Sequence, residues 1–255
     1  MAVPEKSAEK GSLRTPAKPA PAKPAHAVKD PFAVKEVYHD NAAERAMANF
    51  FAGKMAQQLG VPLSDYPPGY DGFVELSTLM MKGRSSKQQQ AVVMGVLKSL
   101  LPEQGPGVFR RLFPFTKWSA EANARLTTMF FSWLVGPMEL KEVEIEYKGQ
   151  KETWKSGVLI KKCRYLEASG CVGMCTNMCK IPTQDFFTKD FGLPLTMDPN
   201  FEDLSCEMIY GRPPPPIEQD KMYGQPCFIQ ECALGNDTAR PPCPKVDTDR
   251  TRKRL

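Results

Sequence analysis

Histidine is almost missing: the chain holds two, His26 and His39, both near its N-terminus. A metal site in the folded body must therefore draw on thiolate, carboxylate or backbone ligands. That argues against the facial triad of two His and one carboxylate used by non-haem iron oxygenases. The same shortage excludes a His-dependent nucleophilic triad from the core. No run approaches the ~20 apolar residues of a membrane-spanning helix. Nor does the N-terminus show the apolar core, about 7–15 residues long, of a secretory signal. Walker, strand-anchored GxGxxG, GxSxG and HExxH motifs are all missing. The net charge of +5 hints at a polyanion partner only until it is located. Residues 1–40 carry a surplus of +2 and residues 240–255 one of +4, which leaves the middle near −1. No nucleic-acid partner is expected. Cysteine, finally, is absent from the first 162 residues and occurs eight times in the rest.

What is present divides the chain into three. Residues 1–40 are rich in Pro, Ala and Lys (Pro16-Ala-Lys-Pro-Ala-Pro21-Ala-Lys-Pro24). Such a segment buries too little apolar surface to offset its conformational entropy, and is read as a disordered arm. Its position suits a transit-peptide remnant, although Glu5, Glu9 and the scarcity of Ser and Arg do not. Residues 41–235 form the expected single domain, and 236–255 a basic, flexible tail. Within the domain, Met47, Phe50, Phe51 and Met55 recur at helical spacing from Asn41 to Gly60. That Met/Phe face suits either core packing or a lipid or carotenoid site. A second helix is expected from an Asp71 cap to Gly83. A third starts at Ser85 or Ser86, and a fourth runs from near Ser119 to Gly136-Pro137. The period then switches to two. Val143, Ile145 and Tyr147 alternate with Glu142, Glu144 and Glu146, and Lys148-Gly-Gln150 turns the chain into a returning strand over residues 152–162. Beyond Cys163 no clean period survives. The expected architecture is α+β: a helical N-terminal layer of about four helices, one antiparallel hairpin, and an irregular Cys-rich C-terminal region stapled by metal.

The densest thiol run is Gly170-Cys-Val-Gly-Met-Cys175-Thr-Asn-Met-Cys179. On a straight helix each Cα would sit ~6 Å above the last, so adjacent sulfurs can share an ion but all three cannot. Gly170 and Gly173 permit a loop instead, which can gather three thiolates round a cluster. Three close cysteines plus a remote one is a recurring iron–sulfur pattern. Cys171, Cys175 and Cys179 with Cys206 are therefore the candidate metal ligands, and Cys163 is the second choice for the fourth. Thiolate ligation selects zinc or iron–sulfur. A purely structural zinc, or disulfides, would account for the same spacing.

The stretch from Cys163 through Cys171, Cys175 and Cys179 to Gln184-Asp-Phe-Phe187 resembles the plastid β-carotene isomerases of strigolactone biosynthesis. So do Gly192-Leu-Pro-Leu-Thr-Met197, Pro199-Asn-Phe-Glu-Asp-Leu-Ser-Cys206-Glu-Met208 and Gln225-Pro-Cys-Phe228. The resemblance implies an iron-containing protein of the plastid stroma that interconverts all-trans- and 9-cis-β-carotene. Iron or an iron–sulfur cluster is the cofactor it implies. The substrate would be an apolar carotenoid, with transient contact with a plastid membrane or lipid and no transmembrane span.

Rotation about a polyene double bond requires its bond order to fall. A redox-active iron centre can achieve this by one-electron exchange, whereas zinc has no redox chemistry. Proton delivery by a buried carboxyl is the competing route, with Glu202, Asp203 and Glu207 as candidate catalytic acids. Two other readings are a Cys-stapled zinc or iron–sulfur protein without enzymatic activity, and a carotenoid or lipid carrier.

Overall fold

The computed structural model describes residues 30–216, 219–228 and Val246. The helical layer follows its capping chemistry. Helix α1 (Ala42–Leu59) starts at Asn41, whose side chain accepts from the Ala43 and Glu44 amides while Glu44 reaches back, and it ends at left-handed Gly60. Helix α2 (Tyr70–Met81) is capped by Gly69, so Asp71 lies inside its first turn. Helix α3 (Ser86–Ser99) carries a Ser85/Gln88 capping box. Helix α4 (Gly105–Leu112) is unforeseen, because Gly105 and Gly107 mask it; Pro106 in the first turn is compatible with a helix. Helix α5 (Lys117–Phe130) is capped by Thr116, and a short α6 (Ser132–Val135) follows.

The expected hairpin is β1 (Met138–Tyr147) paired with β2 (Gln150–Ile160). It is half of a four-stranded antiparallel sheet in the order β1-β2-β4-β3, in which β3 is Leu195–Pro199 and β4 is Cys206–Tyr210. These two strands replace part of the irregular region expected after Cys163. They carry no alternating signal because most of their residues are buried on both faces. Much of the rest of that region is helical. Helix α7 (Arg164–Ser169) ends at Gly170 in the left-handed conformation. A final helix, α8 (residues 172–190), then runs through an α turn, a π segment Cys175–Lys180, an α segment Ile181–Asp185 and a second π segment Phe186–Asp190. A helix buried on nearly all sides shows no amphipathic stripe, which is why periodicity misses it.

Residues 30–40, assigned to the disordered arm, pack on the domain. Phe32 is buried edge-on against Phe228, and the Glu36 amide donates to the Glu167 carboxylate. Asp40 clasps Arg164 through both guanidinium nitrogens, at 2.6 and 2.9 Å. Arg164 also donates to the Trp133 carbonyl and lies 3.7 Å from the centre of the Tyr70 ring. Residues 1–29 and, apart from Val246, the 236–255 tail lie outside the described residues.

Candidate active site

Helix α8 is the element that aims the site. Its polar side chains are buried yet partnered, and each bond ties it to a different neighbour. The Asn177 amide donates to Gln89 Oε1 at 2.8 Å and its oxygen accepts from Gln90, which locks α8 to α3. Gln184 Oε1 accepts from the Met197 amide at 2.7 Å, which locks it to β3. Lys180, 2% exposed, is paired with Asp220 at 2.6 Å. Arg110 of α4 caps the far end by donating to the Lys189 and Asp190 carbonyls. A helix fixed at this many points has one rotational setting. It points Cys179, Thr183, Phe186 and Phe187, at i, i+4, i+7 and i+8, along one stripe. The π segments widen the turn within that stripe, a rare feature frequently found at functional sites.

That stripe forms one wall of a cavity of about 510 Å³. The facing walls come from Met47, Phe50 and Phe51 of α1, from the C-terminal leucines of α3, and from Leu126 and Phe130 of α5. Met197, Met208 and Tyr210 of the sheet close the floor. The lining is almost wholly apolar. Several of its polar atoms are satisfied within the protein: Asn123 donates to the Ser119 carbonyl, Thr127 donates to the Asn123 carbonyl, and Thr127 Oγ1 meets the Tyr210 hydroxyl at 2.6 Å. A smaller cavity of about 90 Å³ shares Phe51, Leu97, Leu134, Cys179 and Thr183 with the first, so Cys179 stands between the two. The Met/Phe face of α1 thus divides its work. Met47, Phe50 and Phe51 line the large cavity, while Ala48, Ala52, Met55 and Ala56 pack into the core.

The thiols gather behind this wall. Cys206, Met208 and Tyr210 alternate along β4, and the latter two line the cavity. Cys163, Cys175, Cys179 and Cys206 all have raised pKa values, chiefly through burial, and further through neighbouring cysteines for Cys175, Cys179 and Cys206 and through Glu167 for Cys163. Burial pushes Cys163 up to about 11 and Cys179 up to about 12. Cys175 and Cys206 rise well above the ordinary thiol range, with Lys180 opposing the shift. In the metal-free chain these shifts all favour the protonated thiol. Cys171, also buried, precedes the first turn of α8, so the run Cys171, Cys175, Cys179 climbs a helix rather than closing a loop. Among the described residues no three Cys, His, Asp or Glu side chains converge closely enough to hold a metal ion. The donor set suits a soft metal in kind, but its arrangement does not fit a preformed centre on Cys171, Cys175, Cys179 and Cys206.

Comparison with known proteins bears on what such a cavity serves. Residues 133–219 match the family model described as "Beta-carotene isomerase D27-like, C-terminal". The chain is 41% identical over 189 residues, 74% of its own length and 70% of the relative's, to "Beta-carotene isomerase D27, chloroplastic" of Arabidopsis thaliana. It is 41% identical over 192 residues, 75% and 74% of the two lengths, to the protein of the same name from Medicago truncatula. The chain belongs to the β-carotene isomerase D27 family. It is accordingly an isomerase. No solved structure matches it significantly.

The isomerase's matched C-terminal part contributes α8, the floor of the cavity and the thiols, but α1, α3 and α5 lie before residue 133. The cavity is therefore built jointly by both halves. Of the expected catalytic acids, Glu202 and Asp203 are exposed on the β3–β4 turn, where Asp203 accepts from the Ser205 amide. Glu207 is paired with Lys141 at 2.8 Å. None of the three lines the cavity. Sequence reasoning overlooked the wall residues Leu97, Leu126, Phe130, Thr183 and Phe187 as site residues. The signal available for Leu126 and Phe130 was their position on a helix whose other face is filled by Ala120, Asn123, Ala124 and Thr127.

Proposed function

We propose that this isomerase interconverts cis and trans forms of a carotenoid in the chloroplast, with all-trans- and 9-cis-β-carotene as the pair. The observation that carries the reading is the cavity: about 510 Å³, walled by aromatic, Leu and Met side chains, with polar groups such as Asn123, Thr127 and Tyr210 turned to protein partners. A hydrocarbon polyene has no heteroatom to recognise, so its site must select by shape and dryness alone. The walls exclude water, hold the chain against Phe186 and Phe187, and accelerate rotation only as far as they fit the twisted polyene better than the planar one. Cys179 is the thiol that reaches the wall, and it does so at the junction of both cavities.

Iron or an iron–sulfur cluster is what the resemblance implies; holding it on Cys171, Cys175, Cys179 and Cys206, the set drawn from their spacing, would require these thiols to lose protons and close up. The acid route would need a carboxyl at the polyene, and Glu202, Asp203 and Glu207 are not among the residues that line the cavity. The test is to incubate anaerobically purified chain with detergent-dispersed all-trans-β-carotene, resolve the isomers by chromatography, and measure the metal content of the same sample. Formation of the 9-cis isomer supports the reading. Bound pigment with an unchanged isomer ratio would make the protein a carrier instead.

A further inference from the structure

The cavity opens beside exposed apolar side chains. Phe50, Leu126 and Phe130 both line it and face solvent. Beside them α5 turns outward a stripe that buried helices do not show: Trp118 (62% exposed), Arg125 and Met129 (70% exposed), at i, i+7 and i+11. Helix α4 adds exposed Val108, Arg111 and Leu112 and has no buried residue. The two helices are joined to the cavity by stacked rings. Trp118 lies on Phe113 at 5.5 Å, Phe113 on Phe109 at 4.8 Å, and Phe109 on Phe191, a wall residue, at 3.8 Å. The charge on this face has one dominant sign. Residues 105–130 carry Arg110, Arg111, Lys117 and Arg125 against Glu121 alone. Among the described residues no helix is long and apolar enough to cross a membrane.

An apolar patch of this kind ringed by Arg and Lys, with an indole among the exposed side chains, has the chemistry of a surface that lies in a lipid headgroup layer. We propose that the α4–α5 face docks on an anionic lipid bilayer and sets the cavity mouth against its hydrocarbon. A carotenoid could then enter from the acyl chains without crossing water. The inference rests on the carotenoid reading of the cavity for its purpose, but docking itself is measured without any substrate.

Full-length chain is floated with vesicles of phosphatidylcholine alone and with vesicles containing one part in three phosphatidylglycerol. The variants are Trp118→Ala with Met129→Ser, and Arg111→Glu with Arg125→Glu; all four residues are exposed and lie outside the cavity lining. We expect binding to the anionic vesicles, a loss of at least tenfold in each double variant, and falling affinity with salt. Each basic residue near such a surface contributes about fivefold. Isomerisation of carotene carried in vesicles should fall with binding, while turnover of detergent-dispersed carotene stays unchanged. Equal binding to both vesicle types, or binding that survives both double variants, overturns the proposal. So does a wild-type dimer that ignores vesicles and becomes monomeric in the variants. Vesicle docking without turnover in either carotene preparation would sink the isomerase reading and leave the docking surface standing.

Discussion

Leu126 offers the sharpest separation between the cavity's role in binding and its role in folding. It lines the cavity yet is 39% exposed at the mouth. In the empty protein an asparagine there keeps its amide in water. Once a hydrocarbon fills the cavity, that amide is desolvated with no partner to meet it. A buried polar group left unsatisfied costs about 1–3 kcal/mol, which lowers kcat/KM by about fivefold to about 150-fold. The folded state loses much less. Asparagine is a poorer helix former than leucine by about 0.5 kcal/mol, and with the lost contacts the melting temperature should fall by only a few degrees, roughly 2–4 °C. Leu126→Met keeps the volume and the apolarity and should leave kcat/KM within about threefold. The assay is initial-rate isomerisation of detergent-dispersed β-carotene alongside thermal melting. If Leu126→Asn retains wild-type kcat/KM, the substrate does not occupy this cavity.

Three predictions concern what holds the site in place. Asp40→Ala leaves the Arg164 guanidinium buried without its carboxylate and should cost about 3 kcal/mol in denaturant unfolding, despite removing a residue just before the first helix. Lys180→Met strands Asp220 at the inner face of α8 and should cost about as much, whereas Lys180→Met combined with Asp220→Leu should recover most of the loss, which a double-mutant cycle will read. In Gly72→Ala the new Cβ would lie 1.9 Å from the Pro67 carbonyl oxygen. The start of α2 must shift, and the variant should lose about 3 kcal/mol by thermal melting.

How much of this was legible in the sequence follows from what each element buries. Helices with one wet face declared themselves through their period: α1 and α3 start at the expected places, next to Asn41 and Ser85. The hairpin declared itself through strict alternation of Val143, Ile145 and Tyr147 with glutamates. Residues 172–199 did not, because burial on nearly every side leaves no pattern of wet and dry positions for periodicity to detect. The same blindness covers the site. Thr176, Asn177, Lys180 and Gln184 read as an ordinary polar scatter, yet each is buried and partnered, and three of them set the rotation of α8. The cysteine spacing drew attention to this stretch, where Cys175 and Cys179 lie one helical turn apart on α8.

Alkaline pH distinguishes thiols from thiolates in the native protein, and so bears directly on the metal. The folded Cys163 thiol has its pKa raised from 9.0 to about 11, mainly because burial disfavours the charged form. Below pH 9 the group is protonated whether folded or unfolded, and stability does not depend on it. Between about pH 9 and 11 only the unfolded chain releases the proton, so stability falls with rising pH, by about 3 kcal/mol in all for this one group. Cys179, raised to about 12, adds to the loss in the same direction. A metal bound to these sulfurs reverses the sign. The native ligands would already have lost their protons, only the unfolded chain would hold them, and stability would rise toward pH 9 before levelling off. Denaturant midpoints from pH 7 to 10.5, taken on metal-stripped and on as-purified chain under reductant, read the slope. A limb that falls in both samples between pH 9 and 10, below the range where the buried tyrosines Tyr70, Tyr165 and Tyr210 add the same slope, means that the purified protein carries thiols. A limb that rises in the as-purified sample and falls in the stripped one means that a thiolate-bound metal closes a centre which the folded chain by itself leaves open.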